Sequence, residues 1–315
     1  MREIIIQKND AGQRLDKFLL KYLHQMPESM LYKSLRKNCV RVNGKHVRDG
    51  GYKLSEHDVL TLYLRDEFFE TDAGQAFRHI TPALDILYED EHLLLVDKKP
   101  GMVVHADEQQ SVSLIDHIKS YLYRSGAYKP EEEHSFAPAL CNRIDRNTGG
   151  IVIAAKTAEA LRVMNQKIKD RELKKYYLCI VCGTLPQNEG TLKGFLFKDE
   201  KEKRVYIHQT PQPGAKTAIT KYRVLAVKNG FSLVEVELVT GRTHQIRAHF
   251  ASIGHPLLGD GKYGKNAVNK QYGYRGQALY SYKLTFAFQT DAGALQYLDG
   301  KTFQTEVPFL KTFDL

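Results

Sequence analysis

The strongest constraint on the fold lies in the second half of the chain. Four strand-like stretches follow one another there, at about residues 175–182, 191–197, 216–225 and 231–239. The last contains Ser232-Leu-Val-Glu-Val-Glu-Leu-Val239, whose apolar and polar residues alternate with the period of a half-buried strand. Strands that succeed one another, with only occasional helices between them, build an α+β domain on a mixed, mainly antiparallel sheet rather than a βαβ array. The 315 residues suffice for one large domain or two ordinary ones, and a hydrophobic content of 42% supports a core.

The N-terminal part reads differently. Leu15, Phe18, Leu19, Tyr22 and Leu23 recur at helical spacing. A second helix is predicted from an Ser29 cap, carrying Met30, Leu31, Ser34 and Leu35. Asn43-Gly44 between Val40-Arg-Val42 and Lys45-His-Val47 is a hairpin signal, and Asp58–Tyr63 adds a strand. Residues 1 to 65 hold thirteen Lys and Arg against seven Asp and Glu, which is +6 of the chain's formal +9. Lys33, Arg36, Lys37, Arg41, Lys45 and Arg48 cluster along the second helix and hairpin, as expected of a nucleic-acid surface rather than an ordinary solvated face. Through Arg14-Leu-Asp-Lys-Phe-Leu19 and Val40-Arg-Val-Asn-Gly44, this small α/β unit resembles the RNA-binding fold named after ribosomal small-subunit protein four.

Asp66, Glu67, Glu70, Asp72, Gly74 and Pro82 mark an irregular stretch. The expected division is therefore a domain at 1–65, a linker at 66–82 and a second domain at 83–315. The latter opens with paired strands at Asp85–Tyr88 and His92–Val96, a Pro-Gly turn, and a strand at Met102–Val104 followed by His105. Helices are predicted around Leu114–Leu122 and Leu161–Ile168, with an exposed loop at Glu131–His134. Cys179 and Cys182 form a CxxC, but side chains three apart on a strand diverge and no second pair completes a zinc site. They read as core cysteines, and no metal is expected.

Two stretches carry chemistry. In Cys141-Asn-Arg-Ile-Asp-Arg-Asn-Thr-Gly-Gly150, Asp145 stands between Arg143 and Arg146, before the apolar run Ile151–Ala155 that reads as a buried strand. Flanking guanidiniums favour the ionised carboxylate, which suits a nucleophile or an electrostatic anchor; a structural Asp–Arg turn is the simpler reading. In Gly241-Arg-Thr-His-Gln-Ile-Arg247, Thr243 is expected to cap a helix whose Ile246, Phe250 and Ile253 face the core. Arg242, His244 and Arg247 then make its N-terminus an anion or carboxylate site.

These stretches, with Asp97-Lys-Lys-Pro-Gly and Val104-His105, and with Gly254-His-Pro-Leu-Leu-Gly-Asp260, resemble the RluA-type pseudouridine synthases. With the N-terminal unit, the resemblance covers nearly the whole chain. It implies Asp145 as the catalytic carboxylate, Tyr177 stacking on the target base and taking part in proton transfer, and Arg247 pairing with Asp145. It implies substrate contacts at Arg143, which displaces the target nucleotide, and at His105, Arg242, His244 and Gln245. The chain departs from the family's usual His at Asn142, Leu at Ile144, Ser at Gly149 and Ala at Cys179, and from Leu-His-Ala at Leu279-Tyr-Ser281.

The expected reaction is uridine isomerisation in RNA, most often large-subunit ribosomal RNA for members with this N-terminal unit, without a cofactor. Nothing in the sequence points to an obligate protein partner. A non-catalytic RNA-binding or ribosome-assembly protein, and a synthase acting on transfer RNA, are the alternatives; a glycosidic hydrolase would want a second carboxyl beside Asp145. No apolar run approaches a membrane span, no signal peptide is evident, and a cytoplasmic protein is expected.

Overall fold

The computed structural model describes residues 1–69, 76–105, 112–264 and 266–313. They form two compact units, one from Met1–Ala83, Ile115–Ala139 and Ala155–Leu161, the other from Leu84–Leu114, Leu140–Ala154 and Arg162–Leu315.

In the first unit, β1 (Arg2–Ile5), α1 (Leu15–Tyr22), α2 (Glu28–Arg36), β2 (Val40–Val42), β3 (Lys45–His46) and β4 (Val59–Leu62) make an antiparallel sheet of order β1-β4-β2-β3 beside two helices. Phe18, Leu19, Leu31, Leu35, Val40 and Leu60 are buried in one core. The hairpin turn forms as its residues dictate, with Asn43 and Gly44 both left-handed at φ 51° and 75°. The Asn43 side chain donates to Asp58 Oδ1 and accepts from Val59 N–H, both at 2.8 Å, tying the turn to β4. The start of α2 differs from expectation. Pro27 (φ −58°, ψ 142°) caps it, and Ser29 and Met30 lie exposed in the first turn. Proline sets the entry angle and has no N–H to leave unbonded.

The span expected as a linker contains 3₁₀ turns at Asp66–Phe69 and Ala76–His79. Phe68 and Phe69 enter the core of the first unit. Glu70, Asp72 and Gly74 lie outside the described residues. Phe77 packs on Tyr123 of α3 (Leu114–Arg124) and on Tyr128. Only half of the loop 131–134 is exposed, because Glu133 accepts a 2.6 Å bond from Asn9 and His134 meets the Tyr22 ring edge-on.

The second unit is built on a sheet of eleven strands among the described residues. In chain order these are β5 (Ile86–Glu89), β6 (Leu93–Lys98), β7 (Ala139–Leu140), β8 (Gly149–Ala155), β9 (Leu173–Cys182), β10 (Glu189–Asp199), β11 (Arg204–His208), β12 (Lys216–Lys228), β13 (Phe231–Leu238), β14 (Leu279–Phe286) and β15 (Thr302–Gln304). The main order is β11-β10-β12-β13-β9-β14-β8-β6-β5, with β15 on β14 and β7 on β8. The pair β14–β8 is parallel, whereas β10 through β14 otherwise pair antiparallel. The mixed, mainly antiparallel α+β architecture is thus the one the strand succession predicts. Helices α4 (Ala158–Lys169), α5 (Gln245–Ser252), α6 (Asn266–Gln271) and α7 (Pro308–Phe313) complete the chain.

β8, the apolar run after Asp145, is buried at every residue. Met102–Val104 forms no strand, contrary to expectation. The Met102 carbonyl accepts from the Lys98 ammonium and the Val103 carbonyl from Leu114 N–H, which diverts that backbone from a ladder. β14 went unanticipated because neighbours and packing bury its first four residues without alternation, which erases the period-two signal. Cys179 is buried and Cys182 half-buried, both as free thiols. No described helix is long and apolar enough to cross a membrane.

Candidate active site

The turn that carries Asp145 is fixed from several sides. Asp145 C=O accepts from Thr148 N–H at 3.0 Å, and the Thr148 hydroxyl accepts from Gln277 at 3.1 Å. Lys98, 1% exposed, donates to the carbonyls of Lys99, Met102 and Arg146 at 2.9–3.0 Å, holding the backbone just after Asp145. Burial lowers the Lys98 ammonium to about 8, against the opposing attraction of Asp145 and Asp97. Arg146 N–H and C=O groups join the Pro-Gly turn: its Nε donates to Gly101 C=O at 3.1 Å, and its carbonyl accepts from Gly101 N–H at 2.8 Å. These two bonds tie the turn after Asp145 to the Pro-Gly turn.

Gly150 needs glycine on two counts, since φ is 113° and a Cβ would overlap the Ser281 carbonyl. A Cβ at Gly149 would overlap the ring of Tyr280, whose hydroxyl donates to Asp97 at 2.8 Å. The departures at Gly149 and Tyr280 thus compensate each other: the tyrosine fills the space of the missing side chain. Asn142 accepts from Ile153 N–H at 2.8 Å and so braces β8.

Arg247 projects from α5 to the same place. Its Nη1 donates to Asp145 Oδ2 at 2.8 Å, while Nε and Nη2 hold Asp260 in a two-pronged bond at 2.7 and 3.0 Å. Asp260 is fully buried and also accepts from Lys262 and Tyr263 N–H. Burial would raise its carboxyl, but the Arg247 bonds and charge outweigh that and hold it below its ordinary value. Burial acts against the Arg247 cation, and the two carboxylates more than offset it. The guanidinium is a rigid bridge: one end is anchored in the protein and the other presents Asp145. Tyr263 lies under this group, its ring 5.2 Å from Arg247 Cζ. Asp260 went unassigned in the sequence; the single acid in the glycine-rich loop Gly254–Gly264 was the signal available.

The start of α5 also departs from expectation. Thr243 is exposed and caps nothing; His244, left-handed at φ 52° and ψ 19°, is the cap residue. The Gln245 side chain accepts from Arg242 N–H and Thr240 Oγ1 and donates to Ile219 C=O and Thr220 Oγ1. Its amide is committed to holding the β13–α5 turn. Ile246 and Phe250 are buried as expected, whereas Ile253 is 40% exposed. The turn brings His244 Nε2 to 3.8 Å from Asp145 Oδ2, with Nδ1 3.0 Å from the Tyr263 hydroxyl. Burial lowers the imidazole below its ordinary value, Asp145 opposing and Arg247 and Lys262 adding.

Asp145, Arg143, Tyr177, Arg242, His244, Gln245 and Arg247 all line one cavity of about 610 Å³. Tyr177 is 5% exposed, and burial pushes its phenol up to about 12, with Ser281 pulling the other way. Asp145 is the sole carboxylate among the lining residues, against Arg143, Lys169, Arg171, Lys175, Arg242 and Arg247. His105 is exposed and is not among the lining residues. In the first unit Lys33, Arg36, Lys37, Lys45 and Arg48 are exposed, and Arg41 is half-buried over the Tyr63 ring.

A sequence model of RNA pseudouridylate synthases matches residues 92–252, and one of the S4 domain matches residues 13–60. The chain belongs to the RNA pseudouridylate synthase family. Ribosomal large subunit pseudouridine synthase C of Vibrio vulnificus (strain CMCP6) is 33% identical over 290 residues, covering 89% of this chain and 87% of its own. The protein of that name from Escherichia coli (strain K12) is 33% identical over 279 residues, or 88% and 84%. The fold is shared with human RNA Pseudouridylate Synthase Domain Containing 4, with a TM-score of 0.55 at 20% identity over 72% of this chain and 90% of that one. The chain is thus an isomerase whose substrate is RNA.

Proposed function

We propose that this synthase converts uridine to pseudouridine in large-subunit ribosomal RNA, with Asp145 as its catalytic carboxylate. The observation that carries the assignment is the Arg247 bridge: a buried guanidinium, locked by Asp260, aims one N–H at Asp145, the one carboxylate among the described residues lining the cavity. The reaction breaks the ribose bond to N1 of the base and forms one to C5; the C5 proton is lost and N1 gains one. An ionised, oriented carboxylate supplies the covalent or proton-abstracting step that starts this exchange. Tyr177, a phenol that burial raises further above its ordinary value, offers a ring for the base and a proton for its atoms. The base must leave its stack, at a cost of a few kcal/mol, and Arg143 at the exposed rim displaces it. Arg242 and His244 contact the substrate beside Asp145; His105 contacts the RNA outside the cavity.

In this reading residues 83–315 carry the chemistry and residues 1–65 the additional RNA affinity, through Lys33, Arg36, Lys37, Arg41, Lys45 and Arg48, with 66–82 joining them in sequence. The ribosomal target follows the names of the relatives, and the cytoplasm is where such RNA and four free thiols both belong. A glycosidic hydrolase would need a protonated acid as well, and the described residues lining the cavity include no second carboxyl. Tritium release from RNA carrying [5-³H]uridine tests the assignment: wild type should release it and Asp145→Asn should not. Full release by Asp145→Asn would remove Asp145 from the chemistry. Pseudouridine mapping in a strain lacking the protein should show sites missing from large-subunit RNA; their loss from transfer RNA instead would overturn the target.

A further inference from the structure

The cavity has a third wall that neither the nucleophile turn nor the β13–α5 turn supplies. It is formed by the end of α4 and the beginning of β9, and includes Lys169, Arg171 and Lys175. None of these three cationic side chains makes a hydrogen bond or ion pair with the described residues. Lys175 is the telling one. It is half-buried, it lies two residues before Tyr177 on the same strand and so on the same face, and its Nζ is 3.6 Å from where a Cβ of Gly241 would stand. Burial without an acidic partner lowers its ammonium below the ordinary lysine value.

The turn that carries them is built with care. Arg171 is left-handed, at φ 63°, where glycine would be the unstrained choice. That conformation is held between two buried, paired groups. Lys167, 2% exposed, donates to Glu172 Oε2 at 2.7 Å and to the carbonyl and hydroxyl of Thr290; Glu172, 4% exposed, accepts further from Gln289 N–H at 3.0 Å. Multiple bonds hold Glu172 down at about 2, the Lys167 bond foremost, so this knot stays ionised. A strained arginine kept by a buried ion pair, at the rim of a cavity with one carboxylate, is arranged to meet anions from outside the protein.

We propose that Lys169, Arg171 and Lys175 form a phosphate subsite that holds the RNA backbone next to the displaced uridine, fixing the nucleotide's path into the cavity. This rests on the pseudouridine synthase reading and deepens it by assigning the strand's grip to the α4–β9 turn. The ligand chemistry is that of phosphodiesters on an unpaired stretch, which favours cations without base specificity.

The test is equilibrium binding of a uridine-containing RNA stem-loop substrate to the full chain between 50 and 200 mM salt, with wild type, Lys169→Ala/Arg171→Gly, and Lys198→Ala as a charge control. Lys198 is half-exposed on β10 and already paired with Glu200. Each lost phosphate contact flattens the log–log salt slope by about 0.7–0.9, so the affinity ratio of wild type to the double variant should shrink roughly tenfold across that range. Arg171→Gly relieves a left-handed residue, so the variant's melting temperature should not fall, which separates the subsite from a folding defect. An unchanged slope in the double variant, or an equal flattening with Lys198→Ala, overturns the proposal. Tritium release by wild type run alongside distinguishes the two levels. If wild type forms no pseudouridine the enzymatic reading fails, whereas an active wild type with an unchanged slope in the variant fails the subsite alone.

Discussion

Arg247 offers the sharpest perturbation. It connects a wholly buried carboxylate, Asp260, to Asp145, the one carboxylate among the described residues lining the cavity. Arg247→Met leaves Asp260 buried and charged with only the Lys262 and Tyr263 backbone N–H groups as partners. Breaking a buried pair from one side costs about 3–5 kcal/mol. At about 2–4 °C per kcal/mol, the second unit should melt roughly 6–20 °C lower. Asp260→Leu alone should also destabilise, since the guanidinium then keeps only Asp145 as its carboxylate partner. The double variant Arg247→Met/Asp260→Leu replaces both charges by apolar groups and should be less destabilised than the sum of the two singles, by a coupling of the order of 2–3 kcal/mol in a double-mutant cycle. Activity should not recover, because Asp145 still lacks its charge-assisted bond. The loss of that bond, about 1.5–3 kcal/mol, corresponds to roughly a 10- to 150-fold fall in kcat measured by tritium release. Urea unfolding of the four proteins measures the cycle. Additive single effects, or a double variant with wild-type activity, would refute the bridge.

Three further expectations follow from single residues. Gly149→Ala should destabilise by forcing the Tyr280 ring aside, and its cost should be smaller when introduced into a Tyr280→Ala background, read from urea midpoints. His249, 1% exposed, is lowered to about 4 by burial, so between pH 6.5 and 4 the unfolded chain binds the extra proton and stability falls as the solution is acidified. That loss approaches roughly 3 kcal/mol at pH 4 and should be absent from His249→Gln, which unfolding midpoints across that range would show. Neutralising Arg36, Lys37 and Arg41 together should weaken RNA binding and flatten its salt dependence while turnover at saturating RNA persists; an unchanged salt slope would mean that this face is merely solvated.

What the amino-acid order determined by itself is local in origin. Asn43-Gly44 makes its two-residue turn because only such residues accept both left-handed positions. Leu15, Phe18 and Leu19 face the core because helical spacing puts them on one side. Ile151–Ala155 is a buried strand because nothing polar interrupts it. The alternation of β13 and the strand succession carried the fold class, and the four family stretches carried the reaction. Helix starts were less legible: Ser29 and Thr243 are good cap types, yet Pro27 and a left-handed His244 occupy the cap positions. There the chain entering the helix, not the side-chain preference, decides. β14 was hidden for the opposite reason, since a strand covered on both faces loses its period. The pairing of Arg247 with Asp145 was legible only through the family stretches, and the tertiary structure realises it across 102 residues. The tertiary structure alone buried Asp260 as the anchor that directs the guanidinium. It also tied the Gln245 amide to the turn at the cavity wall, and gave Lys98 three backbone carbonyls to hold. Buried charges take their roles from partners distant in sequence, because a desolvated ion is tolerable only where the fold supplies its opposite or its hydrogen bonds.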